Sequence, residues 1–227
     1  LAASSLLPYT EEICSTLSTI GVQRVICNGT CPEDWPDVLR LARKHPIILP
    51  AVGLHPWKVS EVNNDWKRDF IDCLDNSAAA VGEIGLDQWI KGHDIKNQQD
   101  AFRFQLEEAA KRNRPVSIHC LRAVNPLMET LRESPLPERG VHLHAYNGPA
   151  KLVDEFLSLG TYFSFNAGQL KPGSKRVLEN LRSVPMEKLL IETDAPDFLP
   201  IPEYRSHNLE DPSANHPANI IDAYRTI

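Results

Sequence analysis

A parallel (β/α)8 barrel of the TIM type is the fold class this sequence predicts, on three observations. Short apolar runs alternate with amphipathic stretches seven times, the pattern of a parallel sheet covered by helices. No linker or shift in composition interrupts the alternation, so residues 1–227 read as one domain, a size ordinary for an α/β barrel. Six of the apolar runs end on polar groups, at His55, Glu83, His119, His144, Asn166 and Asp194. A barrel carries its chemistry at the carboxyl ends of its strands, whereas an open doubly wound sheet gathers ligand groups at one switch point.

The elements follow in order. Residues 9–20 place Ile13, Leu17 and Ile20 at helical spacing and stop at Gly21. Residues 24–30 (RVICNGT) form a buried strand ending in Asn-Gly, and 33–44 a helix with Trp35, Val38, Leu39 and Ala42 inward. Strands are predicted at 47–57, 78–86, 115–120, 140–146, 161–167 and 189–194, each a short, nearly continuous apolar run suited to burial on both faces. Helices are predicted at 65–74, 97–112, 126–132, 149–159, 175–181 and 217–224. In the longest of these, Phe102, Leu106, Ala109 and Ala110 share one face.

Composition narrows the function. Hydrophobic residues make up 42% and charged residues 24%, which argues against disorder. A net charge of −6 argues against long non-specific tracking on duplex DNA. No apolar stretch approaches the ~20 residues that span a bilayer, and residues 1–9 lack the features of a signal peptide. Cys14, Cys27, Cys31, Cys73 and Cys120 form no C-x-x-C pair and are odd in number, which favours a reducing, cytoplasmic setting.

Glu83, His119, His144 and Asp194 lie 36, 25 and 50 positions apart, one or two βα units each. On a barrel they meet at one rim. Two carboxylates and two imidazoles suit Zn²⁺, Mn²⁺ or Mg²⁺ rather than a thiolate site. Such ions lower the pKa of bound water toward ~7, and Asp194 is a candidate to accept the water proton. His55, Arg122, Asn166 and Lys171 are candidates for contact with substrate, and Tyr146, Phe163 and Phe165 for base stacking, although the two phenylalanines read more simply as core. His142 is expected to face the helices. His45, His93 and His207 fall in connecting segments, where a surface role is the default.

These residues sit in a set of motifs that resembles the TatD-type metal-dependent deoxyribonucleases, a branch of the amidohydrolase-like barrels. The motifs are Gly53-Leu54-His55-Pro56, Val81-Gly82-Glu83-Ile84-Gly85-Leu86-Asp87, Ser117-Ile118-His119-Cys120, His142-Leu143-His144-Ala145-Tyr146, Glu192-Thr193-Asp194-Ala195-Pro196 and Asn215-His216-Pro217-Ala218-Asn219. They run in the family's order along nearly the whole chain. The resemblance implies a (β/α)8 barrel. It implies that Glu83 bridges or binds metal, that His119 and His144 are ligands, and that Asp194 sits at the metal and handles a proton. It further implies hydrolysis of a phosphodiester such as DNA, with a pair of divalent ions (Mg, Mn or Zn) as cofactor.

The chain departs from that pattern in three places. The family opens with a strand bearing Asp-x-His-x-His, and no His-x-His precedes Glu83 here. The barrel is therefore expected to lack its first strand, and its C-terminal end as well. Arg122 stands three residues after His119, where the family often places a basic residue two after. The alternatives are an amide or ester hydrolase of a small molecule, and a non-catalytic fragment without the first-strand ligands.

Overall fold

The structure is a computed structural model that describes every residue except His93 and Pro172; the expectation for His93 falls outside the described residues. Among the described residues seven strands run parallel and pair strictly in chain order. They are β1 (Val25–Asn28), β2 (Ile48–Val52), β3 (Ala80–Asp87), β4 (Val116–Leu121), β5 (Val141–Leu143), β6 (Tyr162–Asn166) and β7 (Leu189–Glu192). The α-helices of the described residues are α1 (Thr10–Thr19), α2 (Trp35–Lys44), α3 (Trp66–Asp75), α4 (Ile95–Lys111), α5 (Val124–Glu133), α6 (Val153–Ser158), α7 (Lys175–Ser183) and α8 (Ile220–Thr226). Sequential parallel pairing curls the sheet into the wall of a barrel, as predicted, with β1 and β7 as its edges.

The outer face of the wall carries the apolar core. On β6, Phe163 and Phe165 are fully buried, and Phe163 packs edge-on against Tyr146 and Phe156 of α6. Around α2 and α3, Trp35, Trp66, Phe70 and Phe104 form a second aromatic group. In α2 the buried residues are Trp35, Val38 and Leu41, so the apolar stripe runs through Leu41 rather than through Ala42. Among the described residues no helix is long and apolar enough to cross a membrane.

Helix α4 does more than cover the sheet. Gln98 and Gln105 are buried on its inner side. The Gln98 amide accepts from the Asp87 N–H at 2.8 Å and donates to the Asp87 carbonyl at 3.0 Å. Gln105 treats Leu54 the same way, at 2.6 and 3.3 Å. Both clamps hold backbone where the sheet ladder runs out, at the carboxyl mouth, and so satisfy groups that burial would otherwise penalise.

Candidate metal centre at the barrel mouth

Three imidazoles converge on one carboxylate oxygen. Glu83 Oε1 lies 2.8 Å from His144 Nε2, 3.1 Å from His119 Nδ1 and 3.5 Å from His55 Nε2. The side chains come from β3, β4 and the residues just beyond β5 and β2. Strand β3 shifts register between Val81 and Ile84, and Glu83 lies within that irregularity; such bulges re-aim side chains beside sites. Gly85 permits the close approach of β3 to β4. It has φ +141°, and a Cβ there would fall 2.0 Å from the His119 carbonyl oxygen.

The outer nitrogen of each ring has its own partner, and that partner decides what the inner nitrogen can do. His119 Nε2 donates to Asp87 Oδ2 at 3.0 Å, which leaves the Nδ1 lone pair toward Glu83. His144 Nδ1 faces Glu192 Oε1 at 3.6 Å and Asp194 Oδ1 at 3.9 Å, which turns Nε2 inward. His55 is different. Its Nδ1 accepts from the Trp57 N–H at 3.2 Å, so the neutral ring carries its proton on Nε2. His55 groups with Glu83 and His119 by distance, with donor atoms within 4.8 Å of one another. By tautomer it is a hydrogen-bond donor. Ligand atoms about 2.1 Å from a tetrahedral ion stand about 3.4 Å apart, close to the spacing around Glu83 Oε1. Glu83, His119 and His144 therefore fit a divalent cation.

Behind His144 runs a buried chain of hydrogen bonds. The Ser117 hydroxyl lies 3.1 Å from His142 Nδ1, and His142 Nε2 lies 2.7 Å from Ser164 Oγ. Ser164 donates to Glu192 Oε2 and also accepts the Ala145 N–H at 3.2 Å. Asn166 Nδ2 donates to Glu192 Oε1 at 3.3 Å. Only one assignment satisfies every member: Ser117 gives to His142, His142 gives to Ser164, and Ser164 gives to Glu192.

The charges follow from these contacts. Burial alone would raise the Glu83 pKa, but His144, His119 and His55 hold it well below the usual carboxylate range. Burial opposes protonation of His144 and His119, yet the adjoining carboxylates outweigh it and raise both. Burial lowers His55, and it takes the enclosed His142 down to about 4. Burial also pushes Asp194 up to about 7; His144 opposes the rise, and Glu83 and Glu192 add to it. Backbone strain gathers here too. Five described non-glycine residues have φ between +44 and +56°; Arg122, Ala145, Asp194 and Phe198 follow the carboxyl ends of strands, and Asn113 follows α4. A left-handed residue of this kind costs about 1–3 kcal/mol and persists where its surroundings over-determine it.

The structure brings Glu83, His119, His144, His55 and Asp194 together. Arg122 is exposed beyond β4. Asn166 is 1% exposed, and its side chain is engaged by Glu192 and by the Gln169 N–H, so it supports the site from behind rather than facing the open mouth. The stacking candidates Tyr146, Phe163 and Phe165 are buried, and the Tyr146 hydroxyl donates to the Pro149 carbonyl at 2.9 Å. The expectation for His142 is overturned as well. It faces the interior between Ser117 and Ser164 rather than the helices, because residues two apart on a strand share a face and His142 is two from His144. Sequence reasoning missed Asp87, Ser164 and Glu192 as partners of the imidazoles. The signal available was the parity of Glu83 with Asp87 and of Glu192 with Asp194.

The comparisons agree with this geometry. The TatD related DNase family model matches residues 4–227. The chain is 31% identical over 181 residues to an uncharacterized metal-dependent hydrolase of Escherichia coli K12, YjjV, covering 78% of this chain and 70% of that protein. It is 31% identical over 208 residues to the 3'-5' ssDNA/RNA exonuclease TatD of Citrobacter rodentium, covering 88% of this chain and 77% of that protein. The crystal structure of the Escherichia coli YjjV protein, a TatD homologue, superposes with a TM-score of 0.85 at 26% identity, over 95% of this chain and 81% of that one. With the fold, the donor set and a family model spanning nearly every residue in accord, the chain belongs to the TatD-related DNases.

Proposed function

We propose that this protein is a metal-dependent phosphodiesterase acting on DNA or a related single-stranded nucleic acid. The observation that carries the reading is the convergence of His119 and His144 on Glu83 Oε1, with the outer nitrogen of His119 hydrogen-bonded to Asp87 and that of His144 facing Glu192 at 3.6 Å. Glu83, His119, His144 and Asp194 hold one or two divalent cations (Mg²⁺, Mn²⁺ or Zn²⁺), and Glu83 is the residue able to bridge. The bound metal supplies neutralisation of the phosphate and a water of lowered pKa.

The chain's own residues do the rest. Asp87 and Glu192 fix the two ligand imidazoles in the tautomers that aim a lone pair inward. Asp194, beside His144 at the mouth, would take up the proton of the attacking water at Oδ1. His55 Nε2–H donates toward an anionic oxygen beside Glu83, and Arg122 contributes charge at the rim. We read residues 1–227 as one barrel domain working in a reducing, cytoplasmic setting, a reading supported by five free cysteines.

The test is hydrolysis of a single-stranded DNA oligonucleotide with added Mg²⁺ or Mn²⁺, alongside metal analysis. Chelation is expected to abolish turnover, and Glu83→Ala and Asp194→Asn to lower it by about 10³-fold or more while far-UV circular dichroism is kept. Turnover by Glu83→Ala within tenfold of the parent would sink the reading. Hydrolysis of an amide or ester panel in preference to the oligonucleotide would transfer the same site to small-molecule chemistry.

A further inference from the structure

Among the described residues the exposed aromatic side chains are Trp57, Trp89, Phe198 and Tyr224, and the first three lie in loops at the carboxyl mouth, after β2, β3 and β7. They are 41, 55 and 42% exposed. Tyr146, Phe163 and Phe165 are buried, so the free aromatic faces of the mouth, among the described residues, belong to these three.

Two of them are tied to the metal centre through one carboxylate. Asp87 Oδ2 accepts from the Trp57 indole N–H at 2.7 Å and from His119 Nε2 at 3.0 Å. Asp87 Oδ1 accepts from the backbone N–H of Trp89 at 2.7 Å. The Trp57 ring centre stands 4.9 Å from that of His55 and 6.2 Å from that of His119. An indole fixed there is within one nucleotide of any phosphate held at Glu83.

Phe198 is held by different means. It has φ +49°, its carbonyl receives the Asn215 amide at 3.4 Å, and a Cβ on Gly168 would fall 2.1 Å from that carbonyl oxygen. A bulky ring in a left-handed backbone is a strained arrangement, and a ring that stays 42% exposed offsets only part of that cost through burial. Strain with incomplete burial points to a residue that faces a ligand.

Charge points the same way. At −6 the protein gains little from general attraction to a phosphate backbone, so affinity for a single strand has to come from the base faces, where stacking is tolerant of sequence. We propose that Trp57, Trp89 and Phe198 form a stacking rim for the unpaired nucleobases that flank the scissile phosphate. The rim makes the site choose single strands by their base faces rather than by backbone charge. This inference rests on the nuclease reading above.

Tryptophan fluorescence supplies a readout that needs no turnover. Trp35 and Trp66 are buried, so quenching by a ligand in solution reports Trp57 and Trp89. The protein is titrated in chelator with a short oligothymidylate and with an abasic oligonucleotide of the same length. The oligothymidylate is expected to bind about tenfold tighter or more. Trp89→Ala and Phe198→Ala should each collapse that ratio toward unity, and Trp89→Phe should restore most of it, which separates a lost ring face from a damaged loop. Equal binding of the two oligonucleotides by the parent, or an unchanged ratio in both alanine variants, overturns the rim. Metal-supplemented hydrolysis separates the two levels of inference. If both oligonucleotides are cleaved at equal KM, the rim alone falls. If neither is cleaved and neither binds, the nuclease reading falls and takes the rim with it.

Discussion

On the inner face of the sheet, β4 and β6 bury Ser117, Ser164 and Asn166, while β1, β2 and β7 leave Ile26, Leu49 and Leu190 56, 43 and 41% exposed. The order is the reverse of what hydropathy alone would choose. Ile26 opposes Leu49 in register, and Cys27 beside it packs into a cluster with Cys14, Val38 and Leu41 under the helices, so Ile26 points inward. Leu190 shares its face with Glu192. The difference is one of neighbours. A strand in the middle of the wall is flanked on both sides, and its polar groups are enclosed and must partner one another. The edge strands β1 and β7 are flanked on one side, and their apolar groups see water, as does Leu49 of β2, which pairs directly with the edge at Ile26. Enclosure in this fold is set by lateral position in the sheet as much as by residue type.

The comparison can be broken most directly at the enclosed side. Phe163→Ala removes a fully buried ring from the Tyr146 and Phe156 cluster. It is expected to cost about 3–5 kcal/mol in urea unfolding. The enclosed inner face can be probed by acid. His142 has a pKa near 4 in the folded protein, against about 6.5 when unfolded. The folded value is the lower one, so the stability is present above pH 6.5 and is lost as pH falls toward 4. In chelator, the parent should lose about 2 kcal/mol more than His142→Gln between pH 7.5 and 5.0, read by paired urea titrations; equal losses would mean that the interior ring is not shut off from water. The smallest effect is expected at the edge. Ile26→Ser should cost less than about 1 kcal/mol, because an exposed side chain has little burial to forfeit. A cost near that of Phe163→Ala would show that this face is covered in solution.

Periodicity carried the fold well. The predicted runs at 24–30, 78–86 and 161–167 contain or overlap β1, β3 and β6, and the predicted helix at 97–112 nearly coincides with α4. Buried parallel strands are short and apolar against polar surroundings, so alternation exposes them. The strand at 140–146 proved shorter, because pairing with β6 reaches only Leu143 and Ala145 then turns left-handed. The clustering of Glu83, His119, His144 and Asp194 at one mouth was legible because each closes an apolar run. The second layer was less so. Nothing in the run of residues says that Gln98 and Gln105, inside an amphipathic helix, will clamp strand ends, or that Asp87 will serve a histidine and a tryptophan at once. Those roles arise from proximity between elements, which local patterns do not encode. The inward turn of His142, by contrast, was readable from its two-residue spacing to His144.

Gly85 couples the seam between β3 and β4 to the chemistry. Any side chain there must push the His119 backbone away, and His119 Nδ1 stands 3.1 Å from Glu83 Oε1, so that movement opens the contact at the centre of the mouth. The bare backbone at this position is what lets two neighbouring strands stand close enough for their side chains to meet, so the missing side chain matters to the mouth as much as the ones present.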